Sequence, residues 1–183
     1  MNNGEKLTVW TKQHRLVWDI LRRDGVYHAK RAPIAALEEN DMVGPVYDWL
    51  AANTPIQRPE GAEYPIWLSF TREGVMLKTP DTVVLELEVE SSLITRVNIA
   101  KWGHMLNFGY IPSDGDDKKR HSDLLKLWGT SDAKAGTTPF YPEIKREIFE
   151  SWHRLFDDGI LLGSPSCYGN IWEIRAEWVK AVY

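Results

Sequence analysis

The stretch from Val9 to Lys30, VWTKQHRLVWDILRRDGVYHAK, decides the fold class. Leu7 to Thr11 read as a strand that runs into an amphipathic helix from about Gln13 to Asp24, where Leu16, Val17, Ile20 and Leu21 recur at helical spacing. Gly25 closes that helix, and Val26 and Tyr27 return the chain to an extended course. A strand, a helix and a return to extended chain in succession point to a mixed α+β domain.

Working outward, Gly44-Pro45 opens a second helix with Val46, Trp49 and Leu50 on one face, ending near Thr54-Pro55. Ala32-Pro33 before it starts a loop or short helix. The proline-rich connection from Thr54 to Pro65 delivers a strand at Ile66 to Phe70. Val83 to Val89 then alternates apolar with acidic residues, a strand with one wet face carrying Glu86, Glu88 and Glu90.

Asn98 caps a short helix through Trp102, Met105 and Leu106. Ser113 to Arg120 reads as a polar loop, Ser122 as the cap of a short helix, and Gly129 to Pro142 as loop again. Pro142 opens the clearest helix, Glu143 to Phe156, with Ile144, Ile148, Trp152 and Leu155 in a stripe. Ile171 to Ile174 is a strand, and Trp178 to Val182 a further strand or short helix. The expected architecture is α+β: a single globular domain over residues 1–183, with a mostly antiparallel central sheet and helices packed on it.

At 183 residues, 43% hydrophobic and 26% charged, the chain suits one domain of an ordinary globular protein. No apolar run approaches the roughly 20 residues of a membrane span. The opening residues lack a secretory pattern, so the expected location is cytoplasmic. A lone Cys167 forms no internal disulfide, anchors no cysteine-rich zinc site, and reads as a small apolar residue. Nine tryptophans are to be placed, and burial tendencies put about six or seven of them in the core.

Phosphate-loop, dinucleotide-fingerprint, zincin and nucleophile-elbow motifs are all absent from the sequence. The five histidines have no ligand spacing among themselves, and Glu86, Glu88 and Glu90 fit an exposed strand face, so no metal is expected.

The ordered phrases WTKQ, DGVY, YDWL, YPIW, a Trp-centred helix ending in LN before YIP, an ESW helix and a final WEI strand resemble one bacterial family, the domain of unknown function family 3841. The resemblance runs from about Trp10 to Val182 and implies no established activity. The chain departs from the family pattern before the Trp-centred helix, where an acidic residue is usual and Asn98 or nearby residues stand, and at Tyr168, where the last strand usually has Gln.

The opening also resembles, in layout, compact NAD-dependent ADP-ribosyltransferases. That resemblance implies a polar residue on the first strand to hold the ribose, an aromatic to stack on nicotinamide, and a carboxylate on a late strand to stabilise the cation formed as nicotinamide leaves. Thr11, Gln13 or His14 can hold ribose hydroxyls, Tyr27, Tyr47 or Trp67 can stack, and Glu173 can supply the carboxylate. Because Glu173 alternates with Trp172 and Ile174, it faces away from the core and can equally be a plain surface carboxylate.

Two other function classes compete. One is a non-catalytic interaction or regulatory protein that docks through exposed aromatics. The other binds nucleic acid through Arg22-Arg23, Lys30-Arg31 and Lys118 to His121, against which the net charge of −4 counts. The macromolecular target of a transferase is not written in the sequence.

Overall fold

The computed structural model describes residues 4–30, 43–75 and 77–183. The expectation for Ala32-Pro33, and Arg31 of one basic pair, lie outside the described residues. Two compact units are formed, one by Met1–Arg96 with Cys167–Tyr183 and the other by Val97–Ser166.

The first unit is built on β1 (Lys6–His14), which pairs antiparallel with β4 (Thr82–Glu90) in an unbroken register from Lys6↔Glu90 to His14↔Thr82. Period-2 alternation sends Val83, Leu85, Leu87 and Val89 into the core beside Val9. Outside, Glu86 accepts hydrogen bonds from Trp10 Nε1 (3.2 Å) and the Tyr183 hydroxyl (2.9 Å), and Glu88 lies 3.1 Å from Lys6 and 3.6 Å from Lys180. The acidic face is therefore a row of cross-strand pairs. β8 (Val179–Val182) adds to the other side of β4 with a register shift at Glu86/Leu87.

α1 (Arg15–Asp24) starts two residues later than its pattern predicts, because Lys12 to His14 stay in the β1 ladder. The His14 ring caps it by accepting from the Leu16 amide at 3.2 Å. Val17 and Leu21 are buried, whereas Leu16 is exposed, so the apolar stripe is narrower than its spacing suggests. β2 (Val26–His28) pairs antiparallel with β7 (Glu173–Arg175), and α2 (Gly44–Asn53) follows.

β3 (Ile66–Leu68) is shorter than predicted and lies beside β6 (Cys167–Ile171) in a sheet completed by β5 (Thr95–Asn98). The half-buried Cys167 opens β6. The fold is α+β with antiparallel pairing, but among the described residues the strands form three small sheets rather than one central sheet. Backbone bridges join them: Trp10 and Ser69 exchange hydrogen bonds of 2.9 and 2.7 Å.

The second unit is helical. Asn98 caps α3 (Ile99–Leu106) as expected, accepting from the Lys101 amide at 3.0 Å. The predicted polar loop at Ser113 to Arg120 is instead the first half of α4 (Gly115–Leu127). Asp114 caps it through the Asp117 amide at 2.9 Å, and Asp116 and Asp117 lie in its first turn, where the helix dipole favours acids. Ser122 is thus mid-helix and caps nothing.

Ser131 caps α5 (Asp132–Thr137) within the supposed loop at Gly129 to Pro142. α6 (Pro142–Ser151) passes into a 3-10 turn at Trp152–Phe156, ending the α-helix five residues before the predicted Phe156. Ile144, Ile148, Trp152 and Leu155 are buried. Gly136 is dictated by space, since a Cβ there would stand 2.6 Å from Phe108 Cβ.

A polar cluster joins α4, α5 and α6. His121, 4% exposed, places Nε2 2.7 Å from Asp132 Oδ1 and Nδ1 3.0 Å from Glu147 Oε1. Ionised carboxylates only accept, so both ring nitrogens carry protons. The ring stacks on Tyr110 at 3.9 Å. Arg120 bonds Glu147 and Asp117, and Arg154 donates to Asp117 (3.0 Å) and the Tyr110 hydroxyl (3.1 Å). Arg120 and His121, read as part of a basic cluster, are thus engaged by carboxylates.

Three tryptophans, Trp102, Trp152 and Trp172, are buried, five are half-buried and Trp128 is exposed, fewer in the core than predicted. The rest of the set lies largely at the margin of the core, where an indole keeps one edge polar, as Trp10 does against Glu86.

Burial opposes charging of His121, but its bonds to Asp132 and Glu147 outweigh burial and raise its pKa above the ordinary value. A raised value in the folded state means that this stabilisation is complete below the unfolded imidazole pKa of about 6.5 and is lost as pH climbs through the folded one. Hydrogen exchange of α4 to α6, corrected for intrinsic rates, should therefore accelerate as pH rises above about 6.5. His121→Gln should flatten that dependence and cost about 1–3 kcal/mol. PH-independent protection in the parent chain would rule the account out.

Candidate active site

The strand pair β2 and β7 sets His28 opposite Glu173. Ile174 turns into the core, so Glu173 and Arg175 share the other face. His28 Nε2 lies 3.1 Å from Glu173 Oε2, and Arg175 Nε donates to Oε1 at 2.7 Å. Each carboxylate oxygen has one nitrogen partner, and the imidazole must be the donor because an ionised carboxylate only accepts. Burial pushes the Glu173 carboxyl upward, but hydrogen bonds from Arg175 and His28 outweigh it and the net shift is downward.

Glu173 opens on a pocket of about 200 Å³. Trp172, Trp178, Leu93, Ile56 and Pro59 give apolar wall, while Arg175 and Gln57 add polar groups. Trp172, only 5% exposed, is fixed by its indole N–H, which donates to the Ile56 carbonyl at 2.9 Å. The Arg175 guanidinium stands 5.6 Å from the Trp178 ring centre, within cation–π range. A pinned aromatic wall beside an ionised carboxylate favours a flat group bearing positive charge.

The other predicted residues lie elsewhere in the same unit. Thr11 donates to the Trp67 carbonyl at 2.8 Å and accepts from Gln13 Nε2 at 2.8 Å, so these three form one group. Trp67 also meets Tyr168 edge-on at 6.2 Å. His14 is occupied as the α1 cap. Tyr27 packs against the core, where burial raises its hydroxyl pKa. Tyr47 packs edge-on against Tyr64 at 6.1 Å, and the Tyr64 hydroxyl donates to Asp48. Of the residues expected to share a cleft, Glu173 lines this pocket and the other six do not.

Sequence reasoning missed Trp172 and Trp178 as walls, Arg175 as a partner and His28 as a second donor. The period-2 spacing of Glu173 and Arg175 was a readable signal, whereas the His28 contact comes from strand pairing 145 residues apart.

The model of a domain of unknown function, DUF3841, matches residues 8–180. The chain belongs to the DUF3841 family. The DUF3841 match begins in β1, ends in β8 and takes in every residue named around the pocket. No curated protein and no solved structure matches the chain.

The two indoles of this family member should separate on truncation. Trp172→Ala should cost about 3–5 kcal/mol in thermal unfolding, as for a buried aromatic. Trp178→Ala should cost about half that or less, because its ring is half-exposed. Equal losses would show that Trp178 is core rather than wall.

Proposed function

We propose that this chain is an NAD-dependent ADP-ribosyltransferase-like enzyme with Glu173 as its catalytic carboxylate. The observation that carries the reading is a carboxylate kept ionised at the edge of a pocket walled by two indoles. The nicotinamide ring of NAD is positively charged, so an indole face attracts it and an ionised Glu173 complements it. The bond between the ring nitrogen and ribose C1′ breaks with both electrons leaving on nicotinamide, and positive charge then moves to the ribose. Glu173, already oriented, stabilises that charge without reorganising. A nucleophile on the acceptor bonds to C1′ and releases its proton to solvent.

A pocket of about 200 Å³ is smaller than whole-ligand sites of roughly 300–1,000 Å³. It therefore suits one ring-sized portion of a dinucleotide, with the diphosphate outside it near the exposed Arg175. Trp172 and Trp178 take the stacking role in this arrangement, in place of Tyr27, Tyr47 or Trp67.

Titration of the purified protein with NAD should quench tryptophan emission saturably and raise the melting temperature. Glu173→Gln should lower NAD turnover at least about 10²-fold, the scale of a lost transition-state contact. Its melting temperature should hold within a few degrees, since a partly exposed ion pair contributes about 1 kcal/mol or less. Unchanged turnover with a large loss of stability would make Glu173 structural.

A second reading, a non-catalytic interaction protein, is favoured by large exposed apolar side chains in the second unit: Leu127 (81%), Trp128 (60%) and Phe140 (76%). No response to millimolar NAD, together with a partner released by Leu127→Ser and Trp128→Ser, would establish this reading instead of the first.

A further inference from the structure

We propose that His28 is a positioning residue for Glu173, whose ring N–H fixes the second carboxylate oxygen. The inference rests on the transferase reading for its consequence, but the positioning role stands on geometry alone. His28 is not among the residues lining the pocket. It sits behind Glu173 on the neighbouring strand, 3.1 Å from Oε2, while Arg175 holds Oε1 from the pocket side. Only 19% of the Glu173 side chain and 23% of the His28 side chain are exposed, so water competes weakly for this bond.

The loop that walls the pocket also passes the imidazole: a Cβ built on Gly61, which has φ +88°, would stand 3.8 Å from His28 Nδ1, ordinary contact distance. The Glu63 amide donates to the Ala29 carbonyl at 3.1 Å, and Lys30 Nζ donates to the Gly61 carbonyl. Lys30 and Glu63, 3.6 Å apart, tie the same loop to the chain just after β2.

Two readouts test this on the full chain. In ¹³C NMR, the Glu173 side-chain carboxyl, assigned by its absence in Glu173→Gln, should titrate at higher pH in His28→Ala than in the parent, and His28→Gln should recover part of the difference by restoring a neutral donor. In NAD titrations followed by tryptophan quenching at one fixed pH, His28→Ala should bind about three- to fivefold more weakly than the parent, a size that a partly exposed contact supports, and His28→Gln should recover part of the loss.

An identical Glu173 titration in the parent and both His28 variants overturns the positioning role. Absence of any NAD binding by the parent defeats the transferase reading, and the carboxyl titration still decides the role of His28. Should His28→Ala fail to fold, the comparison of His28→Gln with the parent decides it.

Discussion

The antiparallel ladder of β1 on β4 is the constraint on which the first unit depends. Nine residue pairs in one register leave the side chains no choice of face, because a slip by one residue would turn Leu85 and Leu87 outward and bring Glu86 and Glu88 into the core. The ladder also holds His14 where its ring caps α1, and α1 ends at Gly25, from which β2 begins. Through β2 the same constraint reaches Glu173. The position of the candidate carboxylate is thus inherited from pairing that begins at the first described strand.

The second unit answers a different problem. Short helices gain little from propensity and need tertiary ties. Here α5, six residues long, is tied by the Asp132 carboxylate to a cationic imidazole and by Gly136 to the Phe108 ring. Such a cluster is costly to desolvate, so its members must all be satisfied together. Removing the imidazole leaves Asp132 and Glu147 without their shared donor. Lys101, buried and donating to the Arg154 and Asp157 carbonyls at 2.8 and 2.7 Å, follows the same rule at the end of the 3-10 turn.

Features governed by local periodicity were legible in the sequence: the alternation of β4, the α1 pattern with its Gly25 stop, the Asn98 cap and the stripe of α6. The charged segment at Ser113 to Arg120 reads as a loop because of its polarity, although Asp114 followed by Asp116 and Asp117 is a helix start. The two-unit organisation carries no linker signature, since one boundary falls inside β5 and the other at the start of β6. At the site, Glu173 could be picked out from its strand alternation. Its His28 partner could not, because a contact between residues 28 and 173 is written in topology rather than in spacing.

The loop from Ile56 to Tyr64 has two duties. Ile56 and Pro59 form pocket wall, Ile56 also receives the Trp172 indole, and Gly61 passes the His28 imidazole at contact distance. Pocket shape and the surroundings of the His28–Glu173 pair therefore share one short segment of backbone. A change in the length of that segment shifts both at once, so insertion or deletion there has no way to reshape the wall and leave the strand pair's cover untouched.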